Sequence, residues 1–176
     1  GDVMALSRLR HAIGNPAYSL EYIEERIGAG APRIQIYEDT GKGYSEENSY
    51  FATDYTRDGQ VVTFSVDIRP ELVNLRIDPA NQPCYVSVLS AKLEGEEVLP
   101  KLLHAAKGMK RYHNGAGLKD GRYVFATEDP HFEWKVKGLG KENTGKLVIQ
   151  MKLENMSLEV ASAVCEAMGL KGKVLW

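Results

Sequence analysis

The sequence predicts a mainly β protein, an antiparallel β-sandwich of about eight strands between residues 33 and 155. Apolar and polar residues alternate there with a period of two, which is typical of strands with one buried and one wet face. Turn-forming stretches such as RDGQ, DPANQP and LKDG interrupt the alternation at the short intervals of a sandwich or jelly roll. No helical segment separates the strands, and this disfavours a parallel α/β fold.

Residues 1–30 predict two short helices that form a linker before the sandwich. Apolar residues recur at helical spacing in both, at Leu6, Leu9 and Ile13 and then at Leu20, Ile23 and Ile27. Gly28 stands where a helix commonly ends in a left-handed residue. Because the chain begins with Gly1 and not with methionine, we expect it to be a piece of a longer protein.

Three segments of the sandwich show the alternation most clearly. The apolar residues that share one side are Val62, Phe64, Val66 and Ile68, then Phe132, Trp134 and Val136, then Leu147, Ile149, Met151 and Leu153. The segment YVSVLSAKLEG places a more mixed set on one side, namely Tyr85, Ser87, Leu89, Ala91 and Leu93. We expect each set to lie on one face of its strand, because successive strand residues point to opposite faces.

One helix is predicted at the end of the sandwich domain, which spans residues 31–176. Ser157 can cap its N-terminus, and Gly169 can end it in the left-handed conformation. The apolar stripe between them consists of Ala161, Val164, Cys165 and Met168.

The composition argues against several classes of partner. A net charge of −2 and a pI of about 6.1 leave no basic field for nucleic acid or an anionic membrane. No apolar run approaches the roughly 18–20 residues of a membrane span, and the N-terminus lacks the layout of a signal peptide. We therefore expect neither nucleic-acid binding nor membrane insertion.

The two cysteines, Cys84 and Cys165, match no zinc or redox spacing. We expect both to be free thiols that pack as small apolar side chains. Two thiols without a disulfide framework favour a reducing compartment, so the prediction is a cytoplasmic protein, either free or held at the inner face of the membrane through a parent protein.

Motifs for nucleotide, zinc and nucleophile chemistry are missing or incomplete. The stretch GKENTGKL lacks the final Ser or Thr of a phosphate loop and precedes a strand where that loop needs a helix. The histidines show no ligand spacing; they are His11, His104, His113 and His131. We expect no cofactor and no catalytic metal.

An acidic loop follows the first predicted strand. It contains Glu38, Asp39, Glu46 and Glu47, with Gly41 and Gly43 between them. The loop does not fit an EF-hand, since glycines occupy two ligand places and a strand precedes it. Three interpretations stay open, namely a structural turn, an irregular structural calcium site and a carboxylate pair for glycan hydrolysis.

Aromatic and polar side chains form a candidate sugar-binding set. A sugar site stacks an aromatic ring on the apolar face of a pyranose and binds its hydroxyls through polar side chains. KRYHNG has this composition in Tyr112, His113 and Asn114, and we add Tyr44 and Trp134. For Tyr112 and Trp134 the alternative is a place in the core, and the alternation favours the core for Trp134.

At this point the blocks IQIYEDTGKGYSEENS, VNLRIDPANQP, LKDGRYVFATEDPHFEW and MSLEVASAVCEAM resemble, in this order, a β-sandwich module attached to bacterial glycosyltransferases. These enzymes, including the rhamnan-synthesis type, build cell-wall and surface polysaccharides. The resemblance covers residues 30–170 and implies a galactose-binding-like accessory domain beside a catalytic domain in the same chain. The Asp-x-Asp motif of such a catalytic domain is absent from this sequence.

The resemblance thus implies a non-catalytic, carbohydrate-binding-like domain with a glycan as its partner. The alternatives are a docking or dimerisation module without a sugar site, and a small glycan hydrolase that uses the acidic loop. Four further residues are expected to set the geometry of the loops, namely Asp39, Arg76, Asp78 and Asp129. We expect Arg76 to pair with Asp78 or with Asp129.

Overall fold

The computed structural model describes residues 33–54, 56–103, 110–112, 115–117, 120–127 and 129–169. The helices predicted within residues 1–30 lie outside this part of the chain. For residues 110–112 the structure gives the backbone only.

The described residues form eleven strands and two α-helices. The strands are β1 (Gln35–Asp39), β2 (Ser49–Phe51), β3 (Val61–Ile68), β4 (Asn74–Asp78), β5 (Cys84–Leu93), β6 (Glu96–Glu97), β7 (Lys110–Tyr112), β8 (Gly115–Gly117), β9 (Arg122–Phe125), β10 (Phe132–Lys135) and β11 (Gly145–Asn155). The helices are α1 (Leu99–Leu102) and α2 (Leu158–Met168). The single turn α1 lies between β6 and β7, so the prediction that no helix separates the strands is wrong at this point; four residues are too few for a helical periodicity to show in the sequence.

Two antiparallel sheets contain all of these strands. Sheet A has four strands in the order β10-β4-β1-β2. Sheet B has seven, in the order β3-β11-β5-β9-β8-β7 with β6 paired to β5. Each pair is antiparallel. The predicted mainly β, antiparallel character is confirmed. The structure has eleven strands where about eight were predicted, because several strands of two or three residues are too short to show an alternation in the sequence.

Both sheets contribute to one hydrophobic core in a sandwich-like arrangement. Three of the predicted stripes face this core: the even-numbered residues of β3, the odd-numbered residues from 147 to 153 of β11, and Phe132, Trp134 and Val136. The alternation arises because one side of each strand packs and the other contacts water.

Aromatic rings from β9 and β10 join the two sheets. The rings of Tyr123 and Phe132 stack with their centroids 4.1 Å apart. The indole Nε1 of Trp134 donates a hydrogen bond of 3.0 Å to the hydroxyl of Tyr123. Trp134 therefore packs in the core with its one polar atom bonded, as a buried indole requires.

A β-bulge in β5 changes which side chains face the core. The register between β5 and β11 shifts where Val88 pairs with Met151 and Ser90 with Gln150, which leaves Leu89 as the extra residue. Val86 and Val88 are buried before the bulge, whereas Leu89 is 50 % exposed. The predicted common face of Tyr85, Ser87, Leu89, Ala91 and Leu93 is wrong for this reason.

The C-terminal helix α2 agrees with its predicted ends. Ser157 Oγ accepts a hydrogen bond of 3.1 Å from the amide of Val160. Gly169 ends the helix with a φ of 67°, in the left-handed region. The buried helix residues are Leu158, Ala161 and Cys165, and the helix packs beside Ala126, Met156, Tyr85 and Val124. Within the described ranges, no helix is long and apolar enough to cross a membrane.

We expect Tyr123→Phe to lower the free energy of unfolding by about 1–3 kcal/mol, because the buried indole N–H of Trp134 loses its acceptor. Urea denaturation measures the change. Tyr85→Phe serves as the control, since Tyr85 is half-buried beside α2 and outside the contact between the sheets. Equal losses in the two variants would contradict a special role for the Trp134–Tyr123 bond.

Candidate functional site

The outer face of sheet A carries a mixed polar and aromatic surface. Strand register places Tyr37, Arg76 and Glu133 side by side on β1, β4 and β10. The next row joins Phe51, Gln35 and Asp78. The inward residues of the same strands are apolar, so period-two alternation brings the polar set together on the face away from the core. We refer to this surface as the outer face of sheet A.

Arg76 lies at the centre of this surface. Its Nε and Nη2 donate hydrogen bonds of 2.8 and 2.7 Å to the two carboxylate oxygens of Asp78. Its guanidinium carbon lies 4.7 Å from the ring centroid of Tyr37. Asp129 Oδ1 is 3.9 Å from Nη2. Of the two expected partners of Arg76, Asp78 is therefore the close one and Asp129 the distant one.

The Arg76–Asp78 pair is partly withdrawn from water. Burial raises the pKa of Asp78, and the hydrogen bonds and charge of Arg76 oppose that rise without cancelling it. Burial also disfavours the charge of Arg76, but the hydrogen bonds and charge of Asp78 outweigh it and raise the pKa of the guanidinium. The pair is therefore a partly buried charged anchor within β4, and Nη2 of Arg76 also approaches Asp129 in the loop before β10.

Asp39 organises the start of the acidic loop. Its Oδ1 accepts hydrogen bonds from the amides of Gly41, at 2.8 Å, and Gly43, at 2.9 Å. Asn74 donates to its Oδ2 at 3.0 Å. Gly41 and Gly43 have φ angles of 104° and 81°, which favour glycine. Asp39 thus turns the chain, as the loop-geometry interpretation predicted.

Two further carboxylates of the loop are also bonded within the fold. Glu46 accepts a hydrogen bond of 2.7 Å from the hydroxyl of Tyr37 and one of 3.2 Å from Gln35. Glu38 pairs with Arg69 at 2.7 Å and accepts from the hydroxyl of Tyr50 at 3.3 Å. These bonds hold the acidic loop onto sheet A and favour the structural interpretation of the loop.

Burial and neighbouring acids raise the pKa of two tyrosines on the outer face of sheet A. Burial raises the pKa of Tyr37 to about 12, with help from its hydrogen bond to Glu46. Burial also raises the pKa of Tyr44, together with the charge of Glu133 and a hydrogen bond to it. Tyr44 therefore reaches across the outer face to β10, and both phenols stay protonated at neutral pH.

Phe51 supplies the exposed aromatic ring of this surface. Phe51 is 49 % exposed. The guanidinium carbon of Arg33 lies 3.8 Å from its centroid, within the range of a cation–π contact. Sequence reasoning missed Phe51 because β2 has only three residues, too few for an alternation to show. Its position is known only from the pairing of β2 with β1.

The residues predicted to bind sugar are not brought together by the described structure. Tyr44 lies on the outer face of sheet A. Tyr112 is on β7, where only the backbone is described, and His113 and Asn114 lie outside the described residues. Trp134 is 1 % exposed, so its ring cannot stack on a bound sugar. Its inclusion in the sugar-binding set is corrected to a core role.

Metal ligands do not converge in the described part of the chain. Within it, no group of three or more His, Cys, Asp or Glu side chains could hold a metal ion. His131 Nδ1 instead lies 3.1 Å from the backbone oxygen of Asp129 and 3.7 Å from its Oδ1. A structural calcium bound by loop oxygens stays a prediction.

Comparison of the chain with protein-family models, curated proteins and solved structures gave no match.

We expect acid to remove a contribution of Asp39 to stability. Hydrogen bonds from Asn74, which has the largest effect, and from the backbone amides of Gly41, Gly43 and Lys42 favour its carboxylate and lower its pKa in the folded protein. The stabilisation by Asp39 is therefore fully present at a pH above the pKa that Asp39 has in the unfolded chain. It is lost as the pH falls through the lower pKa of Asp39 in the folded protein. Asp39→Asn should be less stable than the wild type near neutral pH, and in urea titrations the difference should shrink as the pH falls through the lowered pKa of Asp39.

The exposed Asp54 provides the control for this comparison, since Asp54→Asn changes the same charge. If Asp39→Asn and Asp54→Asn have equal stability at every pH, the proposed anchoring by Asp39 is wrong.

We expect Arg76→Met to lower the free energy of unfolding by about 1–3 kcal/mol, because the partly buried carboxylate of Asp78 loses two hydrogen bonds. The double variant with Asp78→Leu should regain most of the free energy of unfolding that Arg76→Met loses, because no unpaired carboxylate is then left partly buried. The exposed pair Arg122–Asp120 gives a matched control with a bond of 2.8 Å, and Arg122→Met should cost only about 0–1 kcal/mol. Similar losses in both arginine variants would contradict the anchor.

Proposed function

We propose that this chain is a non-catalytic, carbohydrate-binding-like accessory domain of a bacterial glycosyltransferase for cell-wall or surface polysaccharide. The observation that carries the proposal is the outer face of sheet A. There an exposed aromatic residue, Phe51, lies in one row with the polar side chains of Gln35 and Asp78, and the exposed carboxylates of Asp129 and Glu133 lie nearby. This combination on rigid strands suits the apolar face and the hydroxyls of a sugar.

The strand pairing supports a jelly-roll fold as the finer class. β3 pairs with β11, β4 with β10 and β5 with β9, so each pair lies inside the previous one along the chain. Successive pairs alternate between sheet B and sheet A. A long antiparallel hairpin wrapped over two sheets has this order. The hairpin of β7 and β8 departs from it by extending sheet B beside β9.

Charge on the β4 and β10 side of the outer face favours neutral sugars, whereas Arg33 places a cation over Phe51 on the β2 side. The guanidinium of Arg76 is already neutralised by Asp78. The nearby carboxylates of Asp129 and Glu133 are exposed, with 65 % of the Asp129 side chain in contact with water. A uronic acid or a sugar phosphate would meet these like charges, whereas neutral hydroxyls can donate to them.

The bonds of the acidic loop support a non-catalytic role. Hydrolysis by paired carboxylates needs two acids about 5–10 Å apart across a cleft, one of them with a raised pKa. Glu38, Asp39 and Glu46 are instead engaged by Arg69, backbone amides and Tyr37. The catalytic domain would lie elsewhere in the parent protein, which would hold this domain in the cytoplasm or at the inner face of the membrane.

We expect weak glycan binding, millimolar to high micromolar, because each exposed hydrogen bond contributes only about 0.5–1.5 kcal/mol and ordering the side chains costs a similar amount. NMR titration with neutral oligosaccharides of rhamnose, glucose and galactose should shift the amides of Gln35, Phe51 and Arg76. Phe51→Ala should abolish these shifts. An oligogalacturonate of equal length should produce smaller shifts.

Two variants control this titration. Val148→Ala removes an equally exposed apolar side chain from the outer face of sheet B and should leave the shifts intact. Tyr112→Ala tests the KRYHNG segment predicted from the sequence. Shifts confined to residues 110–115 and lost in Tyr112→Ala would move the sugar site there. If a broad glycan panel gives no shifts at millimolar concentration, the docking module becomes the better hypothesis.

A further inference from the structure

The strand β3 forms one edge of sheet B. It is eight residues long and, among the described strands, pairs with β11 alone. Its register with β11 runs from Val61 to Ile68 without a shift. One side of β3 therefore presents a continuous row of backbone groups that no described strand uses.

The pairing with β11 shows which backbone groups these are. The amide of Leu153 donates to the carbonyl of Gln60 at 3.2 Å. Hydrogen-bonded pairs alternate along an antiparallel ladder, so Val62, Phe64, Val66 and Ile68 direct their N–H and C=O groups at β11. The N–H and C=O groups that point away from the sheet are those of Val61, Thr63, Ser65 and Asp67.

The other sheet edges are short, whereas β3 is long and regular. β2 and β7 have three residues each, and β10 has four, with exposed charges at Glu133 and Lys135. β3 contains no proline, lysine, arginine or bulge, and Asp67 is its one charged residue. Proteins usually blunt a long edge with such devices, because an open edge pairs readily with another strand.

We propose that β3 pairs antiparallel with β3 of a second copy of this chain, around a two-fold axis at Ser65. The axis places Ser65 opposite its own counterpart, Thr63 opposite Asp67, and Phe64 opposite Val66. Both sheets B then continue as one sheet through the dimer, with both cores on the same side. This inference is independent of the proposed sugar binding.

The sequence of β3 is complementary to itself in this register. Odd-numbered residues, whose backbone groups point away from β11, meet odd-numbered residues, so the edge hydrogen bonds can form. The carbonyl of Asp67 already accepts a hydrogen bond of 3.3 Å from Arg69 Nη1 and keeps a second lone pair for the partner strand. On the core side the aromatic Phe64 meets the β-branched Val66, a favourable cross-strand pair. On the outer side the hydroxyl of Thr63 can donate to the carboxylate of Asp67. No like charges are opposed, which is why a second copy fits this edge.

Sedimentation velocity and light scattering from low micromolar to near-millimolar protein should show a dimer that forms with concentration. Ser65→Lys should raise the dissociation constant at least about tenfold, because two like charges then stand directly opposite. Ser65 is exposed, so the monomer should melt at nearly the wild-type temperature. Ser65→Asp should act in the same way, and mixing the two variants should restore dimers by pairing lysine with aspartate.

Gln150→Lys is the matched control, since Gln150 is exposed on the same outer face but on the interior strand β11. It should leave the dimer unchanged. Ser65→Cys should form a disulfide between subunits under mild oxidation, because hydrogen-bonded strand partners have Cα atoms about 5.5 Å apart, within disulfide range. The two native thiols are buried and should not compete.

Three results would overturn the proposal. They are a wild-type chain that stays monomeric at every concentration, a dimer that survives Ser65→Lys, and a mixture of Ser65→Lys and Ser65→Asp that stays monomeric. A chain that stays monomeric would show that β3 does not pair with its own copy. A dimer that survives Ser65→Lys would show that the dimer contact lies on another surface.

Discussion

The contact between β9 and β10 is the constraint on which the other features depend. Phe132 stacks on Tyr123 and Trp134 bonds to it, so a strand of sheet A is fixed against a strand of sheet B. β10 also pairs with β4, which pairs with β1. The inner rings therefore set the position of the whole of sheet A, and the opposite side of the same strands becomes a fixed polar surface.

That surface is organised by charges which are mostly satisfied by one another. Asp78 neutralises Arg76, Glu38 neutralises Arg69, and Asp39 is bonded by backbone amides and Asn74. Bonds of this kind stabilise a loop on a sheet. What sheet A offers to a ligand is thus shape, an exposed ring and hydrogen-bonding groups.

The parts of the fold that the sequence predicted are those governed by local periodicity. β3, β11 and α2 were recognisable because their stripes and caps lie within a single segment. The bulge at Leu89 was not predictable, since it depends on how β5 meets β11. The same holds for Phe51, which joins Gln35 only through the pairing of β2 with β1. The Arg76–Asp78 pair was predictable because residues two apart on a strand share a face.

The nested strand pairing has a consequence for the order in which the protein folds. β3 is synthesised early, but its described partner β11 comes near the end of the domain, with Val61 paired to Lys152. Contacts between segments so distant in sequence form slowly, because a long loop must close first. The apolar stripe of β3 therefore lacks its β11 partner until about 80 further residues have been synthesised, and exposed apolar surface of this kind favours aggregation.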